Sequence, residues 1–429
     1  MTTSRDVFLV DGTRTPFLKV RGKRGPFTPV DLAVQCGRPL LARQPFGADA
    51  FDMVILGCVN VIADEMNPAR VAALRLGMGD QMVAFTVQIN CGSGMQSIDT
   101  AFRTIREGSA DLILAGGAEA LSHAPLVLRD DAVDWLAGMQ TATSPLSTAQ
   151  NALRIRPKHL KPVVGLERGL TDPITDLSMG QTAELLAHHF GITRTMADTY
   201  AVESHDRLAN AQEGGILADE IMPAFDRDGT VYRADDGVRA GSTVEKLGTL
   251  NPVFEKPYGQ VTAGNASQVT DGASWCILAS AEAVERHKLT PIARLVDSEW
   301  AALDPSVMGL GPVMSATPLL TRHGWGRDDI DLWEINEAFA AQVLACLAAW
   351  QDAKFCRDVL RLDDSFGAIP RDKLNIHGGA IALGHPVGTS GNRIVLHLAN
   401  ALKATGAKRG VATECIGGGQ GGAMILEAV

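Results

Sequence analysis

AFTVQINCGSGMQSIDTAF, residues 84–102, sets a cysteine between a predicted strand and a predicted helix. AFTVQI (84–89) has the composition of a buried strand, and SIDTAFRTIREG (97–108) has the pattern of a helix that ends at Gly108. Further strands are predicted at VFLV (7–10), MVIL (53–56) and DLILAGG (111–117). Strands that alternate with helices in this order predict an α/β fold.

The C-terminal part of the chain repeats this order of elements. Helices are predicted at NEAFAAQVLACLAAW (336–350) and GTSGNRIVLHLANALKATG (388–406), and strands at ARLVDSEW (293–300), GVATEC (410–415) and AMILEA (423–428). Residue identity between the two parts is low, so we interpret the pattern as a duplicated α/β unit. The region between them, about 123–257, is richer in Pro, Arg and polar residues and predicts an insertion that covers a substrate site.

Length, charge and cysteine usage exclude several classes of protein. A chain of 429 residues with 46% hydrophobic residues is globular, and its length favours two or three domains or subdomains. With 39 basic and 49 acidic residues the net charge is −10, which argues against a nucleic-acid partner but leaves an anionic small substrate open. The seven cysteines form no CxxC pair, so we expect no structural metal and a reducing, cytoplasmic compartment. Neither a signal peptide nor a membrane-spanning run is predicted.

Cys91 is the first candidate catalytic residue. It follows a predicted strand and stands before small residues (92–94) that open a predicted helix. The free amides and the dipole of a helix N-terminus favour negative charge, so we expect a lowered thiol pKa and a nucleophile. The alternative is a structural cysteine, since buried cysteines are common.

Three other segments carry candidate residues. In NIHGGAIALGHPVGTSG (375–391), His385 lies in a turn before a helix and could act as a general base, whereas His377 could be a supporting or merely structural residue. In ECIGGGQGGAMILEAV (414–429), Cys415 meets a glycine-rich turn whose amides could face an oxyanion; the turn does not open a helix, as a dinucleotide-binding motif would. In WEINEAFAA (333–341), Asn336 and Glu337 begin a predicted helix, which Asn336 could simply cap.

These four segments, in the chain order Cys91, NEAF, GHP and CIGGG, resemble the thiolase family. Other segments resemble it too, namely RTPF (14–17), AGGAEALS (115–122), TAGNAS (262–267) and VMGLGP (307–312), so that the resemblance covers nearly the whole chain. It implies two duplicated βαβαβαββ halves stacked in five α-β-α-β-α layers, with an inserted loop domain. We therefore predict an N-terminal half at 1–122 and 258–288, a loop domain at 123–257 and a C-terminal half at 289–429.

The resemblance also implies a reaction, that of an acetyl-CoA C-acyltransferase or C-acetyltransferase. Coenzyme A and its thioesters would be substrates, with no permanently bound cofactor. Cys91 would attack the 3-keto carbon of a 3-ketoacyl-CoA while His385 takes its proton, and Cys415 would protonate the departing acetyl-CoA carbanion. A water held by Asn336, together with His385, would stabilise the enolate, and the backbone amides of Cys91 and Gly417 would stabilise the tetrahedral intermediate.

Ligand and partner contacts follow from the same resemblance. The coenzyme A channel would be lined by Met179, Arg239, Ala263 and Ser267, and the wall beside the thioester by Met308, Ala338 and Phe339. The basic segment RIRPKHLKPVVGLER (154–168) could hold coenzyme A phosphates, contact an anionic membrane surface, or be a solvated loop.

The insertion (about 127–178) and the segment 350–374 resemble the thiolase subunits of fatty-acid β-oxidation complexes, although those subunits often carry His at the position of Asn336. On this resemblance the chain could form a homodimer or homotetramer and pair with a hydratase/dehydrogenase chain.

Two other functions stay open. A decarboxylating ketosynthase would use one cysteine and two histidines, which Cys415 disfavours, and a non-catalytic acyl-CoA or lipid carrier would be expected to have lost a catalytic residue.

Overall fold

A computed structural model describes residues 5–429 of the chain. The strands are β1 (Val7–Arg14), β2 (Leu18–Lys19), β3 (Met53–Gly57), β4 (Val83–Val87), β5 (Leu112–Ala120), β6 (Leu126–Val127), β7 (Val163–Val164), β8 (Ala224–Phe225), β9 (Val231–Tyr232), β10 (Thr270–Ser280), β11 (Ala293–Ala302), β12 (Leu332–Ile335), β13 (Arg409–Ile416) and β14 (Gln420–Ala428). The α-helices are α1 (Pro29–Ala42), α2 (Pro68–Arg75), α3 (Ser93–Arg106), α4 (Asp130–Gln140), α5 (Pro145–Ala152), α6 (Gly165–Gly169), α7 (Met179–His189), α8 (Arg194–Glu213), α9 (Val244–Gly248), α10 (Ala281–His287), α11 (Gly311–Arg322), α12 (Ala340–Gln351), α13 (Ala353–Asp358), α14 (Ala380–Leu383) and α15 (Val387–Thr405).

The sheet has the same strand order on both sides of its centre. The N-terminal side runs β4-β3-β5-β10-β1, and the C-terminal side runs β12-β13-β14-β11, with a parallel bridge from Trp333 to Leu374 in the place that β4 takes on the other side. The two sides join where β1 pairs antiparallel with β11, with Phe8 opposite Arg294. The predicted duplication is thus visible in the strand pairing.

Side chains alternate between the layers along each strand, as the two-residue period of a strand requires. On β3, Val54 and Leu56 pack in the outer cluster with α1 and α2, whereas Ile55 packs in the central cluster with α3 and α15. On the other side, Ile425 of β14 packs outward in the cluster that includes α11 and α12, and Met424 packs inward. The predicted five-layer arrangement is confirmed, with α3 and α15 as the middle layer.

Three local predictions were wrong or incomplete. AFTVQI (84–89) is not a buried strand, because β4 lies at the edge of the sheet and its residues are half-buried or exposed. Helix α12 begins at Ala340, four residues after the predicted start, since 336–339 are not helical and Phe339 forms an antiparallel bridge with Ala266. Strand β10, fully buried between β1 and β5, is absent from the predicted strands. The domain boundaries stay predictions. Residues 1–4 of the predicted N-terminal half lie outside the residues that the structure describes.

The insertion begins with a peripheral hairpin of helices. Helices α4 and α5 pack against each other, and the Trp135 indole donates to the Asn151 carbonyl at 2.9 Å. Both helices expose apolar side chains, and Leu146 and Leu153 are 69% and 86% exposed. Within residues 5–429, no helix combines the length and the apolar character that crossing a membrane requires.

Candidate active site

Three of the predicted catalytic residues line one cavity of about 400 Å³. Cys91 lies in the turn between β4 and α3, His385 in the turn between α14 and α15, and Cys415 near the end of β13. The two turns stand at the N-termini of the paired central helices, so the packing of α3 against α15 brings Cys91 and His385 to the same cavity.

The turn that carries Cys91 is fixed by its neighbours. Asn90 adopts a left-handed conformation with φ of 47°, and its side-chain amide donates to the Gly417 carbonyl at 2.8 Å. The Ser93 hydroxyl donates to the Asn90 carbonyl at 2.7 Å and accepts the Ile89 N–H at 2.9 Å. These bonds hold Cys91 against the glycine-rich turn.

The pKa of Cys91 is raised, which contradicts the predicted lowering. Cys91 is partly exposed as a residue because it faces the cavity, but burial of the thiol raises its pKa to about 11. The backbone N–H of Gly417 acts in the opposite direction and is outweighed. The helix N-terminus alone therefore does not produce a thiolate, and Cys91 needs a base to react as a nucleophile.

His385 has the state that a base requires. Burial, reinforced by the charge of Arg393, lowers its pKa to about 4, so the imidazole is neutral at neutral pH. Nδ1 lies 2.6 Å from the Ser390 hydroxyl oxygen, which in turn lies 3.3 Å from the Pro386 carbonyl. That carbonyl can only accept, so the hydroxyl donates to it and accepts from Nδ1–H. Nε2 is buried, has no hydrogen-bond partner within residues 5–429, and is left as the basic nitrogen.

Cys415 is the most deeply buried of the three residues. It is 1% exposed, packs with Met308 and Ala338, and burial raises its pKa well above the usual value. The hairpin turn after it needs glycine for steric reasons, since a Cβ on Gly419 would lie 2.2 Å from the Leu303 carbonyl oxygen and the φ there is +80°.

Asn336 does not cap α12, because the N-cap position belongs to Phe339. Its N–H donates to the Thr413 carbonyl at 2.9 Å, but Oδ1 and Nδ2 of its fully buried side chain have no partner among the described residues. Such an amide is unusual and indicates a place where a polar ligand group or a water is bound. Glu337 is instead fully engaged, and it accepts hydrogen bonds from Tyr200, Ser204 and Asn375.

Five of the seven residues predicted to bind substrate line the same cavity: Met179, Ser267, Met308, Ala338 and Phe339. Arg239 and Ala263 are not among its lining residues, and Ala266 is. Of the remaining predicted catalytic residues, Gly417 lines the adjoining cavity together with Cys91. His377 lies away from the cavity, and its Nδ1 is 3.1 Å from Nε2 of His397.

Three residues at the site were missed in the sequence. Ser390 and Asn90 stand within a few residues of His385 and Cys91, and a polar residue at a fixed short distance from a candidate is the signal that could have identified them. Glu119 lies inside the quoted segment AGGAEALS, and its buried carboxyl accepts from the backbone N–H groups of Asn60 at 2.8 Å and Gly388 at 2.9 Å. It thereby ties the start of α15 to the loop after β3.

Two cysteines and a neutral imidazole around an apolar cavity are an arrangement that suits acyl transfer through a thioester. The sequence model of the thiolase N-terminal domain matches residues 7–282, and that of the thiolase C-terminal domain matches residues 289–428. The chain belongs to the thiolase family, as predicted.

Individual relatives agree with this assignment over their whole length. The chain is 40% identical to a β-ketoadipyl-CoA thiolase of Pseudomonas aeruginosa, over 99% of this chain and 100% of the relative. It is 38% identical to an acetyl-CoA acetyltransferase of the same organism, over 98% of this chain and 99% of the relative. The crystal structure of human mitochondrial 3-ketoacyl-CoA thiolase in complex with CoA has a TM-score of 0.85 and 36% identity, over 99% of this chain and 98% of that chain.

Proposed function

We propose that this enzyme cleaves 3-ketoacyl-CoA with coenzyme A, giving acetyl-CoA and a shortened acyl-CoA, by way of an acyl-Cys91 intermediate. The observation that carries the proposal is the second cysteine, Cys415, on the cavity that holds Cys91 and His385. Acyl transfer needs only one nucleophilic sulfur. A second acid/base group, a role that a thiol can fill, is needed when a carbanion must be protonated or a carbon must lose a proton, as happens when a carbon–carbon bond breaks or forms.

The first half-reaction forms the acyl-enzyme. Nε2 of His385 takes the Cys91 proton as the sulfur attacks the 3-keto carbon, because the pKa of the thiol is too high for a standing thiolate. The bond between the α-carbon and the former keto carbon then breaks, and its electron pair stays on the acetyl-CoA enolate. Cys415 gives its proton to that carbon, and acetyl-CoA leaves.

The second half-reaction releases the acyl group. The Cys415 thiolate takes the proton of an incoming coenzyme A thiol, and that sulfur attacks the Cys91 thioester. The Cys91 thiolate departs and regains the proton from His385. The reverse sequence condenses two acetyl-CoA molecules, with Cys415 removing the α-proton.

Two groups of donors support the charges that develop. The unpartnered Asn336 amide, and Nε2–H of His385 once it has taken the Cys91 proton, fit the role of stabilising the enolate oxygen, with a water between Asn336 and the substrate. The Gly417 N–H, which already interacts with the Cys91 thiol, fits the role of an amide facing the tetrahedral oxyanion, together with that of Cys91. Coenzyme A would reach the sulfur between Met179, Phe339 and Ser267, while Arg239 and Ala263 would contact it farther out.

Self-association is supported by the edge of the sheet. Strand β4 leads directly to Cys91, and its outer side has no neighbouring strand within residues 5–429. An unpaired edge with half-buried apolar residues favours pairing with a second copy. We expect the chain, whose mass is 45.5 kDa, to sediment as a homodimer or as a dimer of dimers. We also expect the backbone amides of β4 to exchange hydrogen slowly.

The role of the basic segment 154–168 stays a proposal. Lys158 already pairs with Asp131 at 2.6 Å, whereas Arg154 and Arg156 are exposed. If these cations hold coenzyme A phosphates, replacing both arginines with glutamine raises KM for coenzyme A and leaves kcat nearly unchanged. If they contact an anionic membrane or a hydratase/dehydrogenase chain, binding to that partner weakens instead. No change in either measurement makes the segment a solvated loop.

The proposed chemistry is tested by separating the two cysteines. Incubation with acetyl-CoA followed by peptide mass mapping should place the acetyl group on Cys91 in the wild type and in Cys415→Ala. The Cys415→Ala enzyme should neither cleave acetoacetyl-CoA nor condense acetyl-CoA, whereas His385→Ala should lose acylation itself by about 10²–10⁴-fold. Acetylation of Cys415 would contradict the assignment. An acylated enzyme without coenzyme A-dependent cleavage would favour the carrier, and decarboxylation of a malonyl thioester would favour the ketosynthase.

A further inference from the structure

A second chamber opens from the catalytic cavity at Cys91. It has a volume of about 410 Å³, and Cys91, Leu170 and Met179 line both spaces. We call this second space the acyl chamber. The residues that line it but do not line the first cavity include Pro125, Leu166, Asp172, Pro173 and Ile174. Its size lies within the range of small-molecule binding sites.

The division of catalytic groups between the two spaces assigns a role to each. His385 and Cys415 line only the first cavity, and in the proposed reaction Cys415 acts on the acetyl carbon and on the coenzyme A thiol. The acyl chamber shares Cys91 and holds Gly417 and Asn90, which stand beside the acylated sulfur. The part of the substrate that stays on Cys91 therefore extends into the acyl chamber, while the coenzyme A arm occupies the first cavity.

The wall of the acyl chamber suits an uncharged chain. Its larger side chains are apolar, and among residues 5–429 no Lys, Arg or His lines it. The one charged residue is an acid, Asp172, which is 3% exposed and whose Oδ1 accepts the backbone N–H groups of Ile174 at 2.9 Å and Thr175 at 3.0 Å. Arg129, Lys161 and Arg168 line an outer groove that adjoins the chamber at Thr171, Asp172 and Pro173, but none of the three cations lines the chamber itself.

We propose that the acyl chamber binds the alkyl chain of a 3-ketoacyl-CoA longer than acetoacetyl-CoA and rejects a chain that ends in a carboxylate. The inference rests on the proposed function and names the substrate class within it. Each methylene that leaves water for an apolar wall strengthens binding by about fourfold. A carboxylate at the chain end would be desolvated beside Asp172 with no cation among the residues that line the chamber, which is strongly unfavourable.

The test compares substrates matched in length. 3-Oxohexanoyl-CoA and 3-oxoadipyl-CoA have the same six-carbon chain and differ only in a terminal methyl or carboxylate group. We expect kcat/KM to be at least about 100-fold higher for the methyl-ended substrate. We also expect kcat/KM for 3-oxodecanoyl-CoA to exceed that for acetoacetyl-CoA by at least about tenfold. Equal or better cleavage of 3-oxoadipyl-CoA would overturn the proposal, as would a preference for acetoacetyl-CoA over every longer substrate.

Variants connect the preference to the chamber. Leu166→Trp should lower the ratio of kcat/KM for 3-oxodecanoyl-CoA to that for acetoacetyl-CoA by at least about tenfold, because the larger side chain fills the chamber. Gly169→Leu is a second way to fill it, since a Cβ at Gly169 meets no other atom within 4 Å. The matched control is Leu153→Trp in the same insertion, where the leucine is 86% exposed and lines neither space. A ratio unchanged in both filled variants, or lowered equally in the control, would refute the assignment. Failure of the wild type to cleave any 3-ketoacyl-CoA of the series would instead contradict the proposed function.

Discussion

Replacing Ser390 with alanine should slow acylation without weakening substrate binding. The Ser390 hydroxyl lies 2.6 Å from Nδ1 of His385 and is the protein group that fixes which ring nitrogen carries the proton. Without it, Nδ1–H is buried and unsatisfied, at a cost of about 1–3 kcal/mol, and the ring can turn or change tautomer. If these 1–3 kcal/mol are added to the activation free energy of acylation, the acylation rate falls by about 5–150-fold, since 1.36 kcal/mol corresponds to a factor of ten.

The assay is single-turnover formation of acyl-Cys91, followed by steady-state kinetics with acetoacetyl-CoA. Ser390 does not line the cavity, so KM should stay within about twofold while kcat carries the loss. Ser97→Ala is the control, because Ser97 is an equally buried serine of the other central helix whose hydroxyl donates to the Gly94 carbonyl at 2.7 Å. Normal acylation in Ser390→Ala, or an equal loss in Ser97→Ala, would show that Ser390 does not position the base.

Three further perturbations test the electrostatics and the glycine turn. Alkylation of Cys91 by iodoacetamide in the free enzyme should keep accelerating up to about pH 11, because burial raises the thiol pKa to that value; a plateau near pH 8.5 would contradict it. Burial, and then the charges of Arg239 and Lys19, lower the pKa of His205 to about 4, so the unfolded chain binds more protons between about pH 4 and 6.5. The free energy of unfolding should therefore rise with pH across that interval and should rise less in His205→Gln, as measured by urea denaturation. Gly419→Ala should abolish cleavage and lower Tm, because the new Cβ meets a backbone oxygen at 2.2 Å; wild-type activity would show that the turn can relax.

The segments that meet at the candidate site could be predicted because their signals are local. Cys91 and His385 each stand beside small residues just before a long helix, and that pattern corresponds to a turn at a helix N-terminus in the structure. The alternation of strands and helices similarly indicated the layers. These features depend on short-range backbone geometry, which a single sequence carries.

The errors arise where the answer depends on what surrounds a residue. The thiol pKa of Cys91 was predicted from the helix N-terminus, but burial dominates it, and burial is set by distant parts of the chain. The position of β4 at the sheet edge depends on strand order, which its own composition does not encode. Asn336 has the local pattern of a helix cap, yet strand β12 carries it into the core before the helix begins.

The duplicated fold accounts for the place of the catalytic site. In each half the central helix follows the outer edge of the sheet, which is β4 in one half and the bridge at Leu374 in the other, so the N-termini of α3 and α15 are equivalent positions. Cys91 precedes α3, and His385 precedes α15. Strand β5 of the N-terminal half and strand β13 of the C-terminal half each lead to a residue that contacts the N-terminal end of the other half's central helix. Glu119 at the end of β5 accepts the Gly388 N–H at the start of α15, and the Gly417 N–H after β13 interacts with the Cys91 thiol before α3. Duplication thus brings two helix N-termini together, and in the proposed reaction the different residues before them take the roles of nucleophile and base.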